Sequence, residues 1–321
     1  MIPILEEAAL RTLVTPAIAV RAIREAFRAD GEGRTTVPAV INLEIPGARG
    51  EFHVKTAHIA GVPHVAVKVA SGFYDNPAKG LPSGSGLMAL FDAATGLPVA
   101  LLFDNGYLTD VRTGAAGAVA AEGLAPSTIE TVGMIGSGVQ ARLQIACLRQ
   151  VRTFARLIAW SPTRARLDRY CDEMRETHGL EVVAADGPEA VCRAADLVVT
   201  ATPAREPLVR SAWLRAGQHV TAVGSDSPGK QELEAACLAR ADRVVVDRQA
   251  QCAVFGELRA ALAAGLALRA APVELGAVVA GRQPGRTHAG EITIADLTGV
   301  GFQDTAIASA AVEKRDGSFF G

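Results

Sequence analysis

Thr131-Val132-Gly133-Met134-Ile135-Gly136-Ser137-Gly138-Val139-Gln140-Ala141 decides how the rest of the chain reads. An apolar run breaks into Gly-x-Gly-x-x-Ala and gives way to an Ala- and Leu-rich helical pattern. The first glycine makes the tight turn and the second lets backbone approach a phosphate. The small third residue lets helix and strand pack closely, with the helix N-terminus facing the anion. A strand before and a helix after are the context that a dinucleotide-binding turn needs. A glycine turn in some other α/β protein would give the same letters. The reading taken is a Rossmann unit that holds a dinucleotide through Gly136, Ser137, Gly138, Val139 and Gln140, and therefore nicotinamide redox chemistry.

Downstream, strands and helices alternate: strand 131–136, helix 139–151, strand 157–160, helix 164–178, strand 181–183, helix 188–194 and strand 197–200, then further strands at 218–223 and 243–246. That punctuation predicts a doubly wound parallel sheet. The Ala/Leu/Gly stretch 259–271 reads as helical. The second strand ends in Trp160-Ser161-Pro162-Thr163-Arg164, with no carboxylate for a ribose 2′-hydroxyl. Ser161, Thr163 and Arg164 suit a 2′-phosphate, so NADP is preferred over NAD. The plainer alternative is that Thr163 and Arg164 only begin a helix.

Upstream, Thr15 and Pro16 start a helix with Val20, Ile23 and Phe27 at helical spacing, and Gly31-Glu32-Gly33 ends it. From Thr36 to Phe103 the pattern is strand-like, with apolar runs at 40–43, 52–54, 65–69, 87–91 and 99–103 and no helices between them. Consecutive strands without crossovers predict an antiparallel sheet in an α+β domain. The chain of 321 residues divides on this reading into 1–124 plus 296–321, for substrate and dimerisation, and 125–295, the Rossmann domain. The tail from Thr293 to Gly299, followed by a helix over Ala306–Glu313, is expected to pack back on the first domain.

Several polar residues stand out. Arg112 and Thr113 open an Ala-rich helix, where anions are attracted, so Arg112 holds a cofactor phosphate, a substrate carboxylate or both, or is simply a surface residue. Lys68 interrupts Val65-Ala66-Val67-Lys68-Val69-Ala70. Buried lysines are rare without a partner or a role, but alternation groups Lys68 with Ala66 and Ala70, a face that need not be the core. Lys55 poses the same question. Asp226 follows a strand in Val223-Gly224-Ser225-Asp226-Ser227-Pro228-Gly229-Lys230-Gln231-Glu232-Leu233, and is a candidate acid/base or an Asx turn before Pro-Gly. His53, His58 and His64 read as strand or turn residues, and Asp304 as a helix cap. No metal-ligand spacing occurs.

Composition sets bounds. At 49% hydrophobic residues the chain can bury large cores, and a net charge of −2 without a basic block argues against nucleic acid. Five scattered cysteines read as reduced core thiols of a cytoplasmic protein. The first residues lack the pattern of a signal peptide, and the apolar runs are too interrupted by charge for a bilayer.

These elements in this order resemble the ornithine cyclodeaminase/μ-crystallin family over most of the chain. The likeness rests on Lys68, Leu108-Thr109-Asp110-Val111-Arg112-Thr113, the glycine turn, the Asp226–Leu233 stretch and Thr298-Gly299-Val300-Gly301-Phe302-Gln303-Asp304. Residues 102–110 look like the ectoine-utilisation branch, and 223–233 are similar to iminosuccinate reductases. The resemblance implies a homodimer and an NAD(P)H-dependent imine reductase or amino-acid dehydrogenase acting on a small α-imino or α-amino acid. It implies that Lys68 polarises the substrate or activates water, Arg112 grips its carboxylate, and Asp226 exchanges a proton or orients the amine. It places Thr113 at the cofactor phosphates and Thr202 and Val223 at the nucleotide. One departure is that many members carry Arg just after the proline matching Pro38, where this chain has Ala39. Lys55, where many members have Met, either replaces that cation or binds a second acidic group. Cyclodeaminase chemistry, with ammonia loss, and a non-catalytic NADPH- and ligand-binding protein like μ-crystallin are the alternatives.

Overall fold

The structure, a computed structural model, describes residues 2–318. It comprises two compact units, Met1–Arg112 with Val300–Gly321, and Thr113–Gly299. The chain passes from the first to the second at Arg112 and Thr113, inside the helix Tyr107–Leu124.

The first unit begins with β1 (Ile4–Glu6), α1 (Glu7–Leu13), α2 (Pro16–Gly31), β2 (Thr35–Thr36), β3 (Ile41–Ile45), β4 (Gly50–Ile59), β5 (His64–Phe73), β6 (Gly84–Asp92) and β7 (Pro98–Phe103), then enters α3 (Tyr107–Leu124). Helix α2 starts as its sequence predicts: the Thr15 hydroxyl accepts from the Ile18 amide at 3.5 Å, and Pro16 takes the first turn. Its Val20, Ile23 and Phe27 are buried. Strands β3 to β7 form the expected antiparallel run. The edges add β2, antiparallel to β4, and β1, parallel to β7.

The second unit contains β8 (Thr131–Ile135), α4 (Val139–Leu148), β9 (Arg156–Trp160), α5 (Arg164–His178), β10 (Glu181–Ala184), α6 (Pro188–Ala194), β11 (Leu197–Thr200), β12 (His219–Ala222), α7 (Ala235–Arg240), β13 (Arg243–Val246), α8 (Gln249–Cys252), α9 (Glu257–Ala263), β14 (Val273–Glu274), α10 (Leu275–Val279) and β15 (Thr293–Asp296). Its sheet is parallel throughout, in the order β10-β9-β8-β11-β12-β15-β13-β14.

Two expectations are corrected here. The stretch 293–299 belongs to the second unit, where Thr293–Asp296 forms β15, inserted between β12 and β13. Four residues carry too little periodicity to reveal such a strand, and its partners lie far upstream. Thr293 seals the insertion, its hydroxyl 2.8 Å from the His219 imidazole, whose burial lowers its pKa to about 3 and keeps it neutral. Helix α9 stops at Ala263, and Gly265 turns the chain with φ +65°, so 259–271 is only partly helical. All five cysteines are free and buried, and no helix among the described residues is long and apolar enough to cross a membrane.

After β15 the chain returns to the first unit as α11 (Gly301–Arg315). This helix lies against β4 and β5. The Thr305 hydroxyl donates to Ala57 O at 2.8 Å and accepts from the Ala66 amide at 3.2 Å, and Phe302 meets Phe27 edge-on at 5.2 Å. The sheet face beneath α11 carries Ala57, Ala66, Lys68 and Met88, all buried. Thus the lysine-bearing face is the core face. The opposite face presents Val54, Val67, Val69, Leu87, Ala89 and Leu101, none of them fully buried.

The close approach of α11 to β4 requires Gly301, because a Cβ there would overlap the Thr56 carbonyl oxygen. Gly301→Ala should therefore cost about 1–3 kcal/mol by overpacking, read as a lower urea midpoint with an unchanged m-value.

Candidate active site

The glycine turn has the form a diphosphate needs. Gly136 follows β8 with φ +126°, and a Cβ on it would lie 2.6 Å from Ala201 O, so only glycine fits. Gly138 is the N-cap of α4, contributes no side-chain cap, and has nothing within 4 Å of where a Cβ would stand. The first amides of α4 are thus left for an anion, and a diphosphate fits the cradle. The turn is held from behind by Arg142, which donates to Ser137 O at 2.7 Å and Gly138 O at 3.0 Å. The Ser137 hydroxyl also donates to Ser161 at 2.9 Å, tying the turn to the end of β9. Val139 is exposed, and Gln140 follows it in the first turn of α4.

Beyond β9, Thr163 is the N-cap of α5 but makes no side-chain cap bond. Arg164 is exposed and pairs with Asp168 at 2.9 Å, one turn along. Its charge is therefore shared with a carboxylate that lies outside the five-residue window Trp160–Arg164. Thr202 and Val223 sit on the loops leaving β11 and β12, where parallel sheets place ligands. The Thr202 hydroxyl donates to Glu232 at 2.8 Å. Asp226 stands on the loop after β12, half-exposed and 2.7 Å from Lys230.

In the first unit, Lys68 and Arg112 come together. Lys68 Nζ is 2.9 Å from both carboxylate oxygens of Asp304, and Arg112 Nε donates to Asp304 at 3.1 Å. Arg112 Nη1 also donates to Gln303 Oε1 at 3.2 Å. Lys68 is 2% exposed, Arg112 5% and Asp304 0%, so one carboxylate serves two cations in a nearly dry site. Lys55 is the cross-strand partner of Lys68 on β4 and half-buried. Burial lowers the Lys68 ammonium; Asp304 opposes this while Arg112 and Lys55 reinforce it, and the result is a pKa of about 7. Burial acts against the Asp304 carboxylate too, but Lys68 and Arg112 outweigh it and hold its pKa below the usual range. Such a cluster offers a carboxylate ligand a guanidinium and a lysine able to give or take a proton near neutrality. Thr113 follows Arg112 in α3, its carbonyl accepting from Gln144 Nε2 at 3.1 Å.

Asp304 is the residue that the sequence reading missed. It is not a helix cap: Val300 is the N-cap of α11, and Asp304 lies a turn inside, aimed at Lys68. The available signal was the lysine itself, since a lysine buried in a strand needs a carboxylate, and Gln303-Asp304 is a polar pair in an otherwise apolar helix start. The histidines play no part in the cluster. His53 faces Asn42 at 2.6 Å and His64 faces Ser309 at 2.8 Å.

The family model for the ornithine cyclodeaminase/mu-crystallin family matches residues 4–318. The chain belongs to this family. It is 46% identical to an uncharacterised cyclodeaminase of Sinorhizobium fredii, over 98% of this chain and 96% of the relative. Among solved structures, an archaeal alanine dehydrogenase dimer with bound NAD superposes with a TM-score of 0.92 at 33% identity, over 100% of this chain and 98% of that one. The iminosuccinate reductase of Paracoccus denitrificans, solved with NAD+, gives 0.91 at 34% identity, over 99% and 98%. The relatives with a named reaction thus include a dehydrogenase and a reductase, both built on the same two-unit fold.

Lys68 should leave a signature in stability. With its folded pKa near 7 and the ordinary value at 10.5, the unfolded chain binds more protons between those limits. Its contribution therefore rises with pH from about 7 to 10.5, with a slope of at most about 1.4 kcal/mol per pH unit. Urea unfolding of the wild type and Lys68→Met at pH 7 and pH 9 should show the difference between them moving in favour of the wild type at the higher pH.

Proposed function

We propose that the protein is a nicotinamide-dependent oxidoreductase that interconverts a small α-imino acid and the corresponding α-amino acid. The observation that carries this reading is the buried Lys68–Asp304–Arg112 cluster in a chain that also has a diphosphate-binding turn. Family membership and the dehydrogenase and reductase relatives support it.

Arg112 binds the substrate carboxylate, for which a guanidinium offers paired donors and a charge it cannot lose. Lys68 stands ready to protonate the imine nitrogen, or to take the proton back in the oxidative direction, since its pKa of about 7 makes both forms available. Asp226 exchanges a proton with the amine or orients it. Lys55, beside Lys68, favours a substrate with a second acidic group over a diamino acid, which places cyclodeaminase chemistry second. Thr113, Gly136, Ser137, Gly138, Val139, Gln140, Ser161, Thr163, Arg164, Thr202 and Val223 hold the dinucleotide, which when bound supplies or accepts the hydride. Ser161, Thr163 and Arg164 favour NADP, while Asp168 competes for the Arg164 guanidinium.

The working form is a homodimer. The sheet face turned away from α11 is largely apolar, extended at its edges by Ile41, Leu43 and Phe103, which are 64%, 56% and 45% exposed. Covering such a surface is a strong driving force for association, and the alanine dehydrogenase relative is a dimer. A second copy of this chain is the proposed cover. Val67→Asp, at the centre of that face, should halve the mass found by light scattering, and a dimer that survives it would refute this interface.

The reaction is tested by following NADH and NADPH consumption with α-keto acids plus ammonia or methylamine, and with preformed cyclic imines. Lys68→Ala should lower turnover by about 10²–10⁴-fold while NADH still binds; turnover near wild type in that variant would refute the role. Ammonia release from a diamino acid without net cofactor change would establish cyclodeaminase chemistry instead. Tight NADPH binding with no turnover across the panel would favour a ligand-binding role.

A further inference from the structure

Glu232 closes the Asp226–Leu233 stretch but takes no part in the chemistry proposed above. Its side chain is 0% exposed and has no ion-pair partner among the described residues. Four donors surround it instead. Oε1 accepts from the Thr202 amide at 2.7 Å and the Thr202 hydroxyl at 2.8 Å. Oε2 accepts from the Thr200 hydroxyl at 2.7 Å and the Gly224 amide at 2.8 Å. These fill the four acceptor positions of an ionised carboxylate.

The donors come from two separate places. Thr200 ends β11 and Thr202 lies on the loop that follows it, whereas Gly224 lies on the loop after β12. The two strands are parallel neighbours, with Thr200 opposite Ala222, so their loops leave the sheet side by side. Glu232 spans both, one oxygen serving the first loop and the other serving β11 and the second loop. Gly224 makes the approach possible. A Cβ there would overlap the Thr202 carbonyl oxygen and come within 2.5 Å of the Glu232 carboxyl carbon. Glu232 is itself fixed from outside the two loops. Its amide donates to Glu257 Oε1 at 2.7 Å, and its carbonyl accepts from the amides of Leu208 at 2.7 Å and Val209 at 3.0 Å.

We propose that Glu232 is a positioning residue for the dinucleotide: it sets the spacing and direction of the loops after β11 and β12 and acts on cofactor binding through them. This rests on the reading that these loops, through Thr202 and Val223, meet the nucleotide. A carboxylate suits the task because all four donors point inward at one group. A glutamine would bring an NH2 against two of them and leave buried donors unpaired.

The test is NADH and NADPH binding by fluorescence titration, with urea unfolding run on each protein. Glu232→Gln should weaken the nucleotide by about tenfold or more in a protein that still unfolds cooperatively. Thr200→Val keeps the shape, lies in the strand behind the loop, and removes one of the four bonds; it should weaken binding by about threefold. Thr200→Ser restores the hydroxyl and should restore the affinity, a rescue that a change in general stability would not produce. In turnover the loss should appear in the KM for NADH, with kcat at saturating NADH within about twofold of wild type. Wild-type affinity in folded Glu232→Gln, or in Thr200→Val should the glutamine variant not fold, would overturn the assignment. If the wild type binds neither NADH nor NADPH, the dinucleotide reading falls and this one with it; if it binds and the variants bind equally, only the role of Glu232 falls.

Discussion

One carboxylate shared between two buried cations organises the first unit. Asp304 touches both Lys68 and Arg112, all three nearly out of contact with water. Removing one partner from a buried ion pair is far more damaging than never having built it, because the remaining charge is left bare. Here one positive charge is already in excess among the three. Burial chiefly lowers the Lys68 ammonium, Arg112 and Lys55 add to this against the pull of Asp304, and its pKa falls to about 7. The same imbalance makes the cluster receptive to an anion. A carboxylate brought to Arg112 would supply the missing charge.

The scaffold around the cluster follows from that requirement. Lys68 must sit on the face of β5 that α11 covers, α11 must approach β4 closely enough for Asp304 to reach it, and Gly301 permits the approach. Thr305 and Phe302 fix the helix on either side of Asp304, so the carboxylate is carried by a rigid element. The other face of the same sheet carries Val54, Val67, Val69, Leu87, Ala89 and Leu101.

The second unit solves a different problem with related means. Its glycine turn presents backbone rather than side chains, so what matters is where amides point. Arg142 fixes the carbonyls of Ser137 and Gly138, and Glu232 fixes amides on two neighbouring loops. In each case a polar side chain holds the backbone of a loop in place. Both are absent from the glycine fingerprint itself, which specifies the steric possibility of the turn and not its support.

The local sequence determined a good deal by itself. The glycine turn, the βαβ alternation after it and the antiparallel run of strands before it are legible because backbone sterics and side-chain periodicity act over a few residues. Lys68 stood out as a cation interrupting an apolar strand and Arg112 as a cation expected at a helix start, although α3 begins at Tyr107 and carries Arg112 within it; the match to the family extends over 4–318. Tertiary structure alone decided which face of β5 is buried, since an alternating strand is symmetrical until something packs on it. It alone decided that Asp304 pairs with Lys68, 236 residues away, and that Thr293–Asp296 enters the parallel sheet between β12 and β13. Those outcomes depend on contacts between segments remote in the chain, where four residues or one carboxylate carry no periodic signal. Only the fold supplies the partner that gives them meaning.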